Sequence, residues 1–340
     1  MRVRAQGIVH ILVPFVPSYL SYPRTFVPSY LRTFVPCRSL STLVRLMGAV
    51  VYVNGTIRPA DQAVVPVFDH GFLYGEGIYE TLRTYAREPF LFDRHVARLR
   101  HSASLMALPV PFTDDELDAR VRETMAAHLE MTPATSSGEL YIRVLLTRGV
   151  GELSYDPAVC PTPTLVIIVK PLALPAERTF TEGIRLALVS LRRNHPDALN
   201  PVIKSNNLLN NALAMQEAYR QGADEALMLN QAGEIAECSQ SNVFLVLDGA
   251  IVTPPLSAGL LPGVTREFVL DLAREAGVPA RETRLTPADL ERAAEVFITG
   301  TTREVTPVRA VDDRPVGDGR PGPLTTRLLA AFRQRVAQPA

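Results

Sequence analysis

The sequence lacks tryptophan, long apolar runs and any excess of charge, and it contains only three cysteines. Its 35 basic and 35 acidic residues balance, which excludes a general electrostatic attraction to nucleic acid or to acidic membranes. No apolar run reaches the length that spans a bilayer. Cys37, Cys160 and Cys238 form no CxxC pair, which argues against a disulfide framework or a zinc site. The composition therefore predicts a cytoplasmic protein in a reducing compartment.

Lysine is also nearly absent. Lys170 and Lys204 are the only lysines, and every other residue among the 35 Lys and Arg is arginine. Arginine keeps its proton in proteins, so it cannot serve as an amine nucleophile or a Schiff-base partner. Lys170 ends an apolar strand and needs no role beyond chance. Lys204 lies between a short apolar strand and a helix start, where rigid elements can hold its amine and partly desolvate it. Lys204 is therefore the candidate for amine chemistry.

Residues 1–46 differ from the rest of the chain. They contain no acidic residue, and the segment Phe15-Val-Pro-Ser-Tyr-Leu recurs from Phe26. Frequent proline prevents a regular helix or a central strand there. Three explanations are open: translation from upstream of a start at Met47, a disordered arm, or a targeting peptide. The abrupt onset of globular patterning after Met47 favours the first.

The remaining chain alternates strands with a few helices. Val50-Val-Tyr-Val followed by Asn54-Gly predicts a strand and a hairpin turn. Helices are expected at 93–108, with Asp93 as N-cap, and from about residue 206 to 221. The proline-bounded stretch 171–175 predicts a linker between a small α/β domain at 47–170 and a larger domain at 176–340.

Two stretches favour an anion. Leu261-Pro-Gly-Val-Thr places Val264 and Thr265 at a helix start, where free N–H groups and the helix dipole attract a phosphate. Thr299-Gly-Thr-Thr, after an apolar strand, adds hydroxyl and N–H groups, and Arg98 can add a bidentate clamp. Each feature also has an ordinary explanation as a helix cap or a surface arginine, so none decides the function alone.

Seven stretches in collinear order resemble those of the fold-type IV pyridoxal-phosphate family, from about residue 50 to the C-terminus. This family holds branched-chain aminotransferases, D-amino-acid transaminases and aminodeoxychorismate lyases. The matching stretches are Phe68-Asp-His-Gly-Phe-Leu-Tyr-Gly-Glu-Gly-Ile-Tyr-Glu-Thr-Leu-Arg, His95-Val-Ala-Arg-Leu, Tyr141-Ile-Arg, Ile203-Lys-Ser-Asn-Asn, Glu237-Cys-Ser-Gln-Ser-Asn-Val-Phe, Leu261-Pro-Gly-Val-Thr-Arg and Thr299-Gly-Thr-Thr-Arg-Glu-Val-Thr-Pro.

The resemblance implies a mixed α/β (α+β) fold of two domains, the larger with a barrel-like sheet, and pyridoxal 5'-phosphate as cofactor. It implies that Lys204 forms a Schiff base with the cofactor and moves the proton, and that Glu237 pairs with the pyridine nitrogen. Further cofactor contacts are expected from Arg98, Asn242, Val264, Thr265 and Thr301. Substrate contacts are expected from Tyr74, Tyr79, Tyr141, Arg143, Thr301 and Thr302. The family is typically dimeric, which implies a homodimer.

The choice within the family depends on a few positions. Tyr141-Ile-Arg resembles branched-chain aminotransferases, but Leu209 stands where those enzymes usually carry a tyrosine. The stretch after Lys204 is closer to D-amino-acid transaminases, yet their Arg-x-His trap is missing after Gly149, and Gly75-Glu-Gly is similar to the lyases. We expect transfer from a branched-chain or other small apolar amino acid to a 2-oxo acid, with 2-oxoglutarate as acceptor. A D-amino-acid transaminase and an aminodeoxychorismate lyase remain alternatives.

One alternative function lies outside this class. Gly71, Gly75 and Gly77 could belong to a nucleotide-binding loop, which would make the chain a non-enzymatic binding module. Their spacing is not a dinucleotide fingerprint, and no suitably placed acidic residue supports one. The histidines show no metal-ligand spacing, so no metal is expected.

Overall fold

The computed structural model describes residues 48–131 and 138–337. The first of its two sheets is antiparallel and has the strand order β2-β1-β6-β5-β3-β4. Its strands are β1 (Val50–Val53), β2 (Thr56–Pro59), β3 (Gly77–Tyr85), β4 (Glu88–Pro89), β5 (Leu140–Thr147) and β6 (Thr164–Pro171). The helices of this part are α1 (His70–Leu73), α2 (Phe92–Leu105) and α3 (Asp114–Met131), and a 3-10 turn spans Pro157–Val159.

The sequence pattern explains this sheet. Along β5 every second side chain is buried, including Ile142, Val144 and Leu146. One face of the strand therefore packs on the core, and the side chains of the other face are only partly buried. The predicted hairpin is confirmed, because β1 and β2 pair directly through Asn54 and Gly55, both with positive φ.

The second sheet has nine strands in the order β12-β11-β10-β13-β14-β7-β8-β9, with β15 paired to β14. They are β7 (Ile184–Arg192), β8 (Glu225–Leu229), β9 (Ile235–Cys238), β10 (Asn242–Leu247), β11 (Ala250–Thr253), β12 (Ala280–Glu282), β13 (Glu295–Gly300), β14 (Glu304–Val311) and β15 (Arg314–Pro315). The accompanying helices are α4 (Arg178–Thr181), α5 (Leu209–Arg220), α6 (Val264–Glu275), α7 (Pro287–Arg292) and α8 (Pro323–Val336), with a 3-10 turn at Leu256–Ala258.

This sheet must curl. The run from β10 to β9 would be roughly 24 Å wide if it were flat, because neighbouring strands lie about 4.8 Å apart. Only three residues separate Cys238 at the end of β9 from Asn242 at the start of β10. That connection spans at most about 14 Å. The two strands therefore approach each other, and the N–H of Cys238 donates to the carbonyl of Ser241 at 2.8 Å. A mixed α/β fold with a barrel-like sheet is confirmed.

Two helix starts differ from the sequence prediction. Helix α2 begins at Phe92 with Leu91 as N-cap at φ 53°, so Asp93 lies in the first turn and is not the cap. Helix α5 begins only at Leu209. The preceding residues are not helical because their backbone pairs with β3: the N–H of Tyr79 donates to the carbonyl of Lys204 at 2.9 Å, and that of Asn206 donates to the carbonyl of Gly77 at 2.8 Å.

Gly77 permits this close pairing. A Cβ atom there would lie 2.7 Å from Nδ2 of Asn206 and 3.1 Å from the carbonyl oxygen of Leu146. The segment that carries Lys204 is thereby pinned to the first sheet, although its neighbours in sequence belong to the second sheet.

The predicted domain boundaries stay a prediction, and the expectation for residues 1–46 lies outside the described residues. In the part of the chain that the structure describes, no helix is both long and apolar enough to cross a membrane.

Candidate active site

A cavity of about 540 Å³ lies between β3 and β5 on one side and the second sheet on the other. Strands β9 and β13, the turn after each, and the start of α6 supply the second wall. All but one of the residues that the sequence singled out line this cavity. They are Tyr79, Arg98, Tyr141, Arg143, Lys204, Glu237, Asn242, Val264, Thr265, Thr301 and Thr302. Tyr74 lies outside it, with its ring against His70 and Tyr155.

Lys204 is held by its backbone while its amine stays available. Its N–H donates to Oγ of Ser102 at 3.1 Å, and its carbonyl accepts from Tyr79. The Nζ atom lies 4.5 Å from the centroid of the Tyr79 ring. Among the described residues no carboxylate forms an ion pair with Nζ. The amine therefore lies over an aromatic face in the cavity and is not held in an ion pair by any described carboxylate.

Glu237 is a buried carboxylate with three donors. Its Oε1 accepts from Nε of Arg193 at 2.7 Å, and its Oε2 accepts from the N–H of Leu261 at 3.1 Å and, more weakly, from Nδ2 of Asn242 at 3.4 Å. Burial raises the pKa of Glu237, and the opposing effects of Arg193, the Leu261 N–H and Lys204 offset only part of this. The site thus contains a carboxyl group that is ready to share a proton with a basic partner.

The start of α6 forms the expected anion site. Its N-cap, Gly263, provides no side-chain cap, and the first N–H groups of a helix have no intrahelical partner, so among the described residues these groups stay open to a ligand. A Cβ atom on Gly263 would lie 1.9 Å from Oδ1 of Asn242, so only glycine allows this approach. The hydroxyl of Thr299 is buried in the same cavity, and none of the described residues hydrogen-bonds it. The helix start and the Thr299 hydroxyl therefore offer hydrogen-bond donors to an anion in the cavity.

Arg98 lies beside this anion site. Its bidentate face contacts Glu80, with Nε to Oε1 at 2.8 Å and Nη2 to Oε2 at 2.7 Å, and Nη1 donates to the carbonyl of Pro262 at 2.8 Å. His95 contacts the same carboxylate at 2.7 Å. Burial alone would raise the pKa of Glu80, but Arg98 and His95 hold it well below its ordinary value. The fork thus closes on Glu80, and the remaining N–H groups of Arg98 are left for a ligand.

Arg143 is a second cation in the cavity lining and is half-buried. Its guanidinium lies 3.9 Å over the Tyr79 ring, and among the described residues no carboxylate pairs with it. Tyr141, two residues earlier on β5, lines the same wall. A cation without a counter-charge in a cavity suits an incoming carboxylate.

Sequence reasoning missed three residues of the site. Arg193 pairs with Glu237, Glu225 accepts hydrogen bonds from the turn after β9, and Arg303 pairs with Glu225. Arg303 lies in the stretch Thr299-Gly-Thr-Thr-Arg, so its positive charge beside the expected anion-binding residues is a sequence signal that could have identified it. No local pattern marks the other two, because their partners are distant in sequence.

Comparison with known proteins gives a consistent result. The sequence model of the family described as amino-transferase class IV matches residues 77–311. The chain is 39% identical to a putative branched-chain-amino-acid aminotransferase of Methanocaldococcus jannaschii, over 83% of this chain and 95% of the relative. It is 32% identical to a D-alanine aminotransferase of Listeria monocytogenes, over 85% of this chain and 96% of the relative.

Solved structures are similar as well. The branched-chain amino acid aminotransferase of Escherichia coli superposes with a TM-score of 0.78 at 33% sequence identity, and the match covers 84% of this chain and 93% of that chain. A second branched-chain amino acid aminotransferase, that of T.th., is complexed with N-(5'-phosphopyridoxyl)-L-glutamate. It superposes with a TM-score of 0.76 at 32% identity, over the same shares of the two chains.

Proposed function

Because the chain belongs to the class IV aminotransferase family, we propose that it moves the amino group of a branched-chain or other small apolar amino acid to 2-oxoglutarate. The family uses pyridoxal phosphate as its cofactor. The observation that carries the proposal is one cavity lined by the unpaired amine of Lys204, the buried carboxyl of Glu237 and a helix start that lacks a cap.

The residues present fit the cofactor. Free N–H groups at the start of α6 and the unpartnered hydroxyl of Thr299 suit its phosphate, and Glu237 suits its ring nitrogen. When bound, pyridoxal phosphate supplies an aldehyde carbon that captures amines and a ring that withdraws electrons from the substrate Cα. Val264, Thr265 and Thr301, with Arg98 and Asn242, are the proposed holders of the group.

The protein's own groups perform the remaining tasks. The Nζ atom of Lys204 would hold the cofactor at rest. Once the substrate amine has displaced it, the free amine would take the proton from the substrate Cα and return a proton to the cofactor's aldehyde carbon, two bonds from Cα. Glu237 would hold a proton at the ring nitrogen. Burial raises the pKa of Glu237, which favours a proton shared with the ring, and the hydrogen bond from Arg193 orients the carboxylate. Arg143 and Tyr141, with Tyr79 and the turn at Thr301 and Thr302, bind and orient the substrate carboxylate. These assignments rest on the family resemblance and are supported by the position of each group in the cavity lining.

The substrate class rests on the relatives. The relative at 39% identity and the two superposed structures are named branched-chain aminotransferases, which favours that activity. The D-alanine aminotransferase at 32% identity keeps a second candidate open. Leu209, which stands where branched-chain enzymes usually carry a tyrosine, does not line the cavity and counts against the first candidate.

Single-turnover spectra with pyridoxal phosphate bound will separate the candidates. We expect L-leucine to convert the cofactor from its lysine-bound form to pyridoxamine phosphate, with release of the 2-oxo acid. Conversion by D-alanine alone would replace the branched-chain assignment with a D-amino-acid transaminase. Formation of pyruvate from aminodeoxychorismate alone would indicate a lyase.

The proposed assembly is a homodimer. A group of exposed apolar side chains surrounds α1 and the loop after β5, and it contains Val64, Val65, Val67, Phe68, Phe72, Val150, Leu153 and Tyr155. The two segments are in contact: Asp69 and Val150 form an isolated antiparallel β-bridge, and the ring centroids of Tyr74 and Tyr155 lie 5.2 Å apart. Such a patch marks an interaction surface. Tyr74 lies at its edge, so we propose that it reaches the substrate site from across the dimer interface.

Replacing Phe72 and Leu153 with serine should convert the dimer to a monomer in sedimentation. The physical reason is the loss of two side chains that are 72% and 66% exposed in the single chain. Leu174→Ser is the matched control, since Leu174 is 63% exposed and lies in the stretch after β6, away from the patch. A monomeric wild type would count against this interface. So would a Leu174→Ser control that dissociates as much as the Phe72→Ser/Leu153→Ser variant.

The proposed setting is the cytoplasm. Cys160 and Cys238 are buried and free, as suits a reducing compartment. The proposed partners are an amino acid and a 2-oxo acid, without nucleic acid or membrane.

A further inference from the structure

The turn between β13 and β14 carries Thr301 and Thr302 into the cavity lining. The N–H of Arg303 donates to the carbonyl of Gly300 at 3.0 Å and closes this turn, and Glu304 is the first residue of β14. Glu304 has a φ of 55°, in the left-handed region. Short hairpin loops often end with a residue in that conformation, and glycine is usual there because a side chain strains the backbone. The backbone alone would therefore favour glycine at this position, so the presence of a glutamate needs a separate reason.

The carboxylate of Glu304 has three donors. Its Oε1 accepts from Nη1 of Arg83 and from the hydroxyl of Tyr85, each at 3.0 Å, and its Oε2 accepts from Nε of Arg333 at 2.9 Å. The side chains of Glu304 and Arg83 are 9% and 4% exposed, so this ion pair is shielded from solvent. Burial and the charge of Glu304 raise the pKa of Tyr85, which therefore stays protonated and donates. Such contacts fix the direction of a carboxylate more firmly than an exposed ion pair does.

Two of these donors come from the strand that holds Lys204. Alternate side chains of β3 share one face of the strand, because the side-chain period of a strand is two. Tyr79 lies on that face and lines the cavity. Arg83 and Tyr85 continue the same face as far as Glu304. The N–H of Tyr79 also donates to the carbonyl of Lys204, so Glu304 ties the turn of the second sheet to the strand that positions the amine.

We propose that Glu304 is a positioning residue that holds the turn of Thr301 and Thr302 at a fixed distance from Lys204. Glu304 does not line the cavity, so it acts through the turn and not on the ligand. Under the proposed function, on which this inference rests, the turn helps to bind the carboxylate of the amino acid while the amine of Lys204 acts on its Cα. The distance between the turn and the amine therefore decides how well the substrate fits.

Replacing Glu304 with glutamine tests this role. Glutamine keeps the size of the side chain, but it lacks the charge and accepts at only one of its two terminal atoms. In the holoenzyme we expect KM for L-leucine to rise roughly tenfold to a hundredfold, because charge-assisted hydrogen bonds that hold the turn are lost. The value of kcat should change less than about threefold, since Lys204 and Glu237 keep their own contacts.

A second readout does not depend on turnover. 4-Methylpentanoate has the carboxylate and the side chain of leucine but no amine, so it binds the holoenzyme without reacting. Its dissociation constant, measured by titration, should rise in Glu304→Gln by about the same factor as KM.

Glu295→Gln is the matched control for the loss of a buried carboxylate. Glu295 is buried like Glu304, and it accepts from the N–H groups of Leu324 and Thr325 and from the hydroxyl of Thr325. It begins β13, at the opposite end of the strand from the turn, and it does not line the cavity. This variant should be less stable to urea but should keep the wild-type KM and dissociation constant. Equal rises in KM for the two glutamine variants would overturn the proposal.

Glu304→Gly separates the carboxylate from the backbone strain. Glycine suits a φ of 55°, so the hairpin should keep its shape while the three side-chain contacts are lost. KM for L-leucine and the dissociation constant of 4-methylpentanoate should still rise. If both Glu304 variants are less stable than the wild type but bind these ligands equally well, Glu304 serves the fold alone and the proposal fails.

The outcome is separable from the proposed substrate class. If the wild type converts D-alanine and not L-leucine, the proposed function fails, and the same comparison is made with D-alanine and with propionate as the unreactive carboxylate. A rise in KM and in the dissociation constant that is confined to the Glu304 variants would then still support the positioning role. No rise, or an equal rise in Glu295→Gln, would reject it.

Discussion

Replacing Lys204 with alanine is expected to lower kcat by roughly ten thousandfold or more while the protein stays folded. The amine is the group that binds the cofactor and moves the proton in the proposed function, and Lys170, the other lysine of the chain, does not line the cavity. The fold should tolerate the change, because Nζ contacts an aromatic ring and its removal leaves no described carboxylate without a partner. Steady-state transamination and thermal unfolding measure the two effects.

The scarcity of lysine offers a matched control. Lys170→Ala removes the other lysine. Lys170 does not line the cavity, although its Nζ lies 4.9 Å from the ring of Tyr141, so this variant should keep wild-type turnover. Borohydride reduction of the holoenzyme should attach one phosphopyridoxyl group to the peptide that contains Lys204, in the wild type and in Lys170→Ala. Label on Lys170, or wild-type turnover by Lys204→Ala, would refute the assignment.

Glu237→Gln is expected to lower kcat by roughly a hundredfold to a thousandfold with the cofactor still bound. Glutamine cannot hold a proton at the ring nitrogen in the way a carboxyl group can, so the ring withdraws electrons less strongly from the substrate Cα. The variant also leaves Arg193 buried without its counter-charge, which should destabilise the fold by about 3–5 kcal/mol. Urea unfolding separates that cost from the kinetic effect.

Two variants sharpen the interpretation. Glu291→Gln changes the same chemical group on a side chain that is 62% exposed and distant from the cavity lining, and it should leave kcat unchanged. Glu237→Asp keeps the acid and should retain more activity than Glu237→Gln. If Glu237→Gln binds cofactor and turns over at the wild-type rate, Glu237 does not serve the ring nitrogen.

Local patterns were enough to predict the elements that carry most of the candidate site. Asn54 and Gly55 mark the first hairpin, and the apolar run before Thr299 marks β13. The helix start at Val264 is also where the sequence indicated it. These features depend on residues within a few positions of one another, so a linear pattern contains the information.

The sequence alone determined which side chains could do the chemistry, and the tertiary structure decided what each one contacts. One of only two lysines, a carboxylate at a strand end and a helix start at Val264 are visible in the printed chain. Helix α5 starts late, at Leu209, because the backbone of Lys204 pairs with Tyr79 of β3.

The charge partners show the same division. Arg98 reaches the carbonyl of Pro262, 164 positions away, and Arg193 reaches Glu237, 44 positions away. No pattern confined to a few residues contains such a pairing. It exists because the two sheets bring distant segments to one cavity, where an unpaired charge on a buried side chain such as Arg98 or Arg193 would be costly.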